Sequence, residues 1–196
     1  MVQRASHDRR TAGTPKATRP RRLGRFLGDS RGAIAVEFAL VALPFIVMIL
    51  SVFELALMFT VSTTLDSATA RAARQIRTGQ LQTAGGATAA TFATTICNNL
   101  GWLESQCSSN LSVDVRTFPS FSNATLNNPV TSGAIDSTKL LFNMGNAGDI
   151  VMVRAYYQWK LFTPFLNGGL TLLSNGSTVI SSTTTFRNEP YVSAGS

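Results

Sequence analysis

Residues 33–61 form the longest apolar stretch of the chain. They read AIAVEFALVALPFIVMILSVFELALMFTV, and Glu37 and Glu54 are the only charged side chains among them. A helix of these 29 residues rises about 43 Å, which exceeds the roughly 30 Å hydrocarbon core of a bilayer. A protein of this size cannot bury such a helix on all sides. The pattern therefore predicts a membrane-spanning helix over residues 33–61.

Helical spacing continues beyond the apolar stretch, although the composition becomes polar. Four apolar residues recur there at intervals of three and four, and they would share one helix face. They are Leu65, Ala68, Ala72 and Ile76. Gly79 is a plausible stop signal, because glycine is favoured just after a helix end. We therefore predict that the helix continues outside the membrane to about residue 78, within an extension over residues 62–82.

Residues 83–196 change from helical spacing to alternation of apolar and polar positions. A second, short helix is predicted between residues 89 and 100, and strands are predicted over 111–118, 149–162 and 177–187. The predicted fold class is α+β. It combines a long N-terminal transmembrane helix that continues outside the membrane, a second short helix, and a small three- to four-stranded antiparallel sheet in a domain over residues 83–196.

Positive charge is concentrated before the apolar stretch. Residues 1–32 hold nine of the seventeen Lys and Arg and two acids, so their charge of 9 − 2 = +7 equals that of the whole chain. We predict a disordered basic leader that stays in the cytoplasm, with the C-terminal domain periplasmic or extracellular. A cleaved secretory signal is the competing interpretation, but its apolar region is shorter. A nucleic-acid binder is disfavoured, because the remainder of the chain is neutral and has no basic folded surface.

Cys97 and Cys107 are the two cysteines, and both follow the apolar stretch. Outside the cytoplasm they can form a local disulfide, which would stabilise the domain by about 3 kcal/mol. Two free thiols in a reducing compartment are the alternative. Their spacing does not suit a C-x-x-C motif, and no histidine lies near them, so a zinc or redox centre is not expected.

Side chains for catalysis are scarce. His7 is the only histidine and lies in the leader. The chain has no phosphate-binding glycine loop, no nucleophile-elbow motif and no carboxylate pair at a catalytic spacing. We therefore predict a protein that is not an enzyme, with no cofactor, no metal and no small-molecule substrate.

The start of the apolar stretch carries the most informative pattern. Gly32 follows Arg31, and Glu37 lies five residues after Gly32. An acid in an apolar membrane helix costs about 2.5 kcal/mol, or less where it lies near an interface. Glu37 could extend toward the cytoplasmic interface. Alternatively, the chain is cut after Gly32, and Glu37 then lies one helical turn from the new amine of Ala33.

These residues resemble a known family. The sequence RGAIAVEFAL at 31–40, the FEL triplet at 53–55 and an exit helix rich in Ala and Arg are similar to the TadE-like pseudopilins of the bacterial Flp (tight-adherence, Tad) pilus. The ending FRNEPY at 186–191 also resembles the tails of some members. The resemblance is specific over residues 31–78 and weaker at the C-terminus.

The resemblance implies a role for each residue of the N-terminal pattern. Prepilin peptidase would cleave between Gly32 and Ala33 at the inner membrane, and Glu37 would assist processing or assembly. Phe38 stands where the major pilins have Tyr, so the ring is kept and the hydroxyl is lost. The length favours a minor pseudopilin, with other pilins, pseudopilins and Tad secretion components as partners. An uncleaved, membrane-anchored envelope or binding subunit is the alternative.

Glu54 is the second acid of the apolar stretch. It lies about 25 Å of helix rise beyond Glu37, and it faces a different side of the helix. Its carboxyl group could lie at the outer membrane interface, or it could contact a partner helix. The sequence leaves both interpretations open.

Overall fold

A computed structural model describes residues 30–125, 128–163, 167–170 and 173–191. The predicted leader lies outside this part of the chain except for its last residues. The division between the two compact units of the chain falls inside the first helix, after Ile46. The described part of the N-terminal unit is helical throughout, and the C-terminal unit contains all the strands.

Helix α1 (Ser30–Arg77) has 48 residues and includes Pro44. It is long and apolar enough to cross a membrane, with a mean hydropathy of 2.6 over its most apolar window. No side chain described between Gly32 and Phe53 is buried. Burial begins at Glu54 and then recurs with helical periodicity to the end of the helix. The same helix therefore has an exposed apolar part and a part that contributes to a core.

The second part of α1 has the predicted stripe. Leu65, Ala68, Ala72 and Ile76 are all buried, whereas the charged side chains between them are exposed. The helix ends at Arg77, and Gly79 adopts the left-handed conformation with φ 77°. Both the stripe and the stop signal are confirmed, because side chains three and four residues apart share one helix face.

Four short α-helices follow in the part of the chain that the structure describes. Helix α2 (Gln80–Ala84) precedes α3 (Ala89–Cys97), which begins with a capping box between Thr88 and Thr91. A 3₁₀ turn leads into α4 (Glu104–Asn110), which the sequence pattern did not predict, and α5 (Asn167–Leu170) is a single turn. The predicted second helix is present, but it ends at Cys97, before Gly101.

The sheet is antiparallel with strand order β1–β4–β5. Strand β1 (Leu111–Phe118) and strand β5 (Ser177–Arg187) have the predicted bounds, and the central strand β4 (Ile150–Lys160) is slightly shorter than predicted. Two short strands, β2 (Val130–Thr131) and β3 (Ala134–Ile135), form a separate hairpin. The predicted α+β class is confirmed, and the main sheet has three strands.

One face of the sheet contributes to a continuous apolar core. Alternate residues of β4 belong to it, together with buried residues of α1, α3, α4 and β1. The residues of β4 in this core are Val151, Val153, Ala155, Tyr157 and Trp159. The alternation follows from the period of two in a strand.

The opposite face of the sheet holds a buried ion pair. Arg154 on β4 pairs with Asp114 on β1, and both side chains are almost inaccessible to solvent. Asp114 also accepts hydrogen bonds from Arg116 Nε at 3.0 Å and from the backbone N–H of Leu141 at 2.7 Å. Arg154 lies 5.9 Å from the ring centroid of Tyr156. The carboxylate therefore links the two strands to the segment that borders β1.

Replacing Asp114 should weaken the outer domain. We expect Asp114→Asn to lower the free energy of unfolding by about 3–5 kcal/mol, because it removes the negative charge beside a buried guanidinium. Urea unfolding of the full chain in detergent, followed by tryptophan fluorescence, measures the change. Asp66→Asn is the matched control, since Asp66 is exposed on α1. Equal unfolding midpoints for the two variants would contradict the prediction.

Candidate assembly site

The N-terminal pattern lies on an exposed stretch of α1. Gly32, Ala33, Glu37 and Phe38 are all exposed. A Cβ atom added at Gly32 would meet no heavy atom within 4 Å, and its backbone is not in the left-handed conformation. A glycine inside a helix costs about 1 kcal/mol relative to alanine. Nothing in the described fold therefore requires glycine at this position.

Glu37 has no hydrogen bond or ion pair within the described part of the chain. It lies one helical turn after Ala33, so a free amine at residue 33 would be within reach of its carboxyl group. The fold thus leaves this acid available for a partner that is not part of the described chain. The roles predicted for Gly32, Ala33, Glu37 and Phe38 stay predictions.

Glu54 differs from Glu37 because it is buried. Its side chain is 3% exposed, and its two carboxyl oxygens accept backbone N–H bonds from Phe162 at 2.6 Å and from Thr163 at 2.7 Å. These two residues lie two and three positions after the end of β4. The acid therefore bonds the backbone of its own chain, a contact that neither interpretation of the sequence had anticipated.

A second contact joins the other end of α1 to the sheet. The backbone N–H of Glu189 donates to the carbonyl of Arg77 at 2.8 Å, and the two side chains form an ion pair at 3.1 Å. The last carbonyl groups of a helix have no partner within the helix, so this bond satisfies one of them. Glu189 follows β5, whose Arg187 pairs with the first residue of β4.

The distance along α1 between the two contacts matches the length of β4. From Glu54 to Arg77 the helix rises about 35 Å. The 11 residues of β4 span a similar length, about 35 Å. The helix is therefore fastened near both ends of the central strand.

Other residues of the ending FRNEPY at 186–191 also contribute to the second contact. The ring of Tyr191 occupies the space beside Gly79, where an added Cβ would come within 2.3 Å of Cγ of the ring. The Tyr191 hydroxyl donates to the carbonyl of Gly145 at 3.3 Å. Burial, reinforced by the Asp149 carboxylate, raises the pKa of the phenol above its usual value of 10.0. Asn188 donates to the carbonyls of Met144 and Asn146.

Cys97 and Cys107 form a disulfide in the structure. Their Cα atoms are 5.5 Å apart, which lies within the range that a disulfide requires. Cys97 is the last residue of α3 and Cys107 lies in α4, so the bond joins two short helices that pack on the sheet. Both cysteines belong to the apolar core.

In the part of the chain that the structure describes, no group of three or more His, Cys, Asp and Glu side chains could hold a metal ion. A groove of about 500 Å³ between α3 and β1 is lined by Ala, Ser, Thr, Leu, Val and Phe side chains, none of which titrates. The features that stand out in the fold are the exposed apolar helix and the contacts that fasten it.

The contact at Glu54 can be tested directly. We expect Glu54→Gln to accelerate amide hydrogen exchange at Phe162 and Thr163, because an amide retains only one acceptor and leaves a buried N–H unpaired. A loss of about 1–3 kcal/mol corresponds to a roughly 5- to 150-fold increase in exchange through local opening. Mass spectrometry of the full chain in detergent measures it. Glu37→Gln is the matched control and should leave both amides unchanged. Unchanged exchange in Glu54→Gln would contradict the assignment.

Comparison with known proteins identifies the N-terminal part of the chain. Residues 32–74 match the family model described as TadE-like protein. The chain matches no curated protein and no solved structure. The match begins at Gly32 and ends within the stripe that packs on the sheet, so it confirms the resemblance seen in the sequence. We conclude that residues 32–74 of this chain are similar to TadE-like proteins.

Proposed function

We propose that this protein is a minor pseudopilin, a structural and assembly component of a Flp/Tad-type pilus. In this proposal α1 is inserted in the bacterial inner membrane, and prepilin peptidase removes the leader by cutting between Gly32 and Ala33. The processed chain then assembles with other pilins or pseudopilins and with Tad secretion components. The observation that carries the proposal is the TadE-like match, whose first residue is Gly32.

Two features of α1 support processing at this position. Gly32 has open space around it, so the fold itself does not require a glycine there. A small residue at this position instead fits entry of the backbone into a peptidase active site. Glu37 is exposed and is placed to pair with the amine that cleavage would create, either in the same chain or in a neighbouring helix.

The burial pattern also supports a division of the chain. We propose that residues 33–53 span the membrane, a shorter segment than the 33–61 predicted from hydropathy. These 21 residues rise about 31 Å as a helix, which matches the hydrocarbon core. From Glu54 onward the helix contributes to the outer core, so residues 54–82 belong with residues 83–196 in one domain, and residues 1–32 are the leader.

The expected location of the outer domain follows from charge. Nine basic residues precede the span, whereas Arg71 is the first one after it. Positive flanks stay in the cytoplasm, so the outer domain would be periplasmic or extracellular. The disulfide agrees with this location, because disulfides persist in oxidising compartments.

The cleavage proposal predicts the behaviour of a Gly32 variant. In its native host, Gly32→Leu should remain a full-length precursor in the membrane, whereas the wild type should lose 32 residues, because a bulky side chain obstructs the backbone at the cut. An immunoblot of a C-terminal tag distinguishes the two sizes. Gly28→Leu is the matched control and should be processed like the wild type.

A shortened Gly32→Leu product would contradict the proposal and would favour an uncleaved membrane anchor.

Glu37→Gln tests the acid that lies five residues after Gly32. Insertion becomes easier by about 2.5 kcal/mol or less, while pairing with the Ala33 amine weakens. This variant should therefore stay in the membrane, with reduced co-purification of pilin partners and with cleavage normal or reduced.

The orientation has its own test. A phosphatase reporter that is active only in an oxidising compartment should be active when it is fused after Ser196. The same reporter should be inactive when it is fused before Met1 of the full chain, because the basic leader holds that side in the cytoplasm. Activity of the Met1 fusion with inactivity of the Ser196 fusion would reverse the orientation.

A further inference from the structure

An aromatic patch lies where α1 enters the outer domain. It consists of Trp102, Trp159 and Phe162, with ring centroids 6.4 Å apart for the two tryptophans and 5.6 Å apart for Trp159 and Phe162. Trp159 is buried, but Trp102 is 58% exposed and Phe162 is 70% exposed. The aromatic patch therefore presents two large rings to the surroundings of the protein.

The level of the aromatic patch along α1 is set by Glu54. The backbone N–H of Phe162 is bonded to this acid, so the patch lies beside the point where burial on the helix begins. On the helix itself, Phe53 and Phe59 flank Glu54 and are also exposed. Exposed aromatic side chains from the helix and from the domain thus lie at a common level.

We propose that the aromatic patch rests in the interfacial region of the bilayer, so that the membrane-facing end of the outer domain contacts lipid. This inference depends on the membrane insertion of α1 proposed above, but not on leader cleavage. Tryptophan favours the level of the lipid headgroups, where its ring leaves water while its N–H stays near polar groups, and the phenylalanine ring adds apolar area.

Two features favour lipid as the neighbour of the aromatic patch: the apolar surface of α1 beside it and the positive charge of Lys160. The patch lies beside Glu54, where the exposed apolar surface of α1 over residues 47–53 ends, and lipid that covers this surface would extend to the patch. Lys160, which is exposed and ends β4, lies between Trp159 and Phe162 in the chain. A lysine at this level can reach headgroup phosphates while its stem covers apolar surface.

The two tryptophans of the chain make the inference testable by fluorescence. Wild-type protein and Trp102→Phe are compared as the full chain in vesicles, and the emission lost in the variant reports Trp102 together with its contact to Trp159. We expect lipids brominated near the carbonyl end of the acyl chains to quench the Trp102 contribution strongly. Trp102 is exposed, so its replacement should not disturb the core.

Two further variants in the Trp102→Phe background provide the comparison. Phe121→Trp labels an exposed site that follows β1, near the opposite end of β4 and about 33 Å from the patch end of that strand. Phe45→Trp labels the apolar part of α1. We expect quenching of Trp102 to exceed that of the Phe121→Trp site several-fold, and lipids brominated near the chain ends to quench the Phe45→Trp site most.

The outcomes separate this inference from the one on which it rests. If the Phe45→Trp site is quenched but Trp102 is quenched no more than the Phe121→Trp site, α1 is inserted and the patch does not contact lipid. That result overturns the inference. If the Phe45→Trp site is not quenched either, membrane insertion fails and both proposals are wrong.

Discussion

The architecture depends on the burial of the Glu54 carboxyl group. An acid in the middle of an apolar helix is costly unless its oxygens are hydrogen-bonded, and here each oxygen accepts one backbone N–H from the segment after β4. The contact holds α1 against the outer domain at the point where its side chains change from exposed to buried. With the bond between Glu189 and Arg77 at the other end, it fixes the helix along the central strand.

This arrangement lets one helix combine an exposed apolar part with a part that is buried in a folded domain. Before Glu54 the helix presents large apolar side chains on every side, as a membrane segment does. After Glu54 the buried positions recur as one stripe, whose Ala68 and Ala72 belong to the core, whereas Leu55 and Phe59 remain exposed. The pseudopilin role proposed above would use both properties, because the helix would be held first by lipid and then by neighbouring helices while the folded domain remains attached.

The sequence predicted the elements whose signal is local. Strands β1 and β5 have the predicted bounds because alternation and turn residues define them within the segment itself. Helix α4 was missed because ESQCSSN has no apolar periodicity, and its place follows from the packing of Cys107. The partners of Glu54 were also missed, since they lie 108 and 109 residues away along the chain. Such a contact depends on the folded sheet, and no spacing rule reveals it.

The central claim, that this chain is a processed pseudopilin, is tested most directly on the native protein. Intact-mass analysis of protein purified from the membranes of its own host, with identification of the N-terminal residue, measures processing without a variant or a reporter. The account predicts a chain that begins at Ala33 and lacks residues 1–32. A native protein that still carries the residues before Ala33, in cells that cleave other pilins, would contradict it.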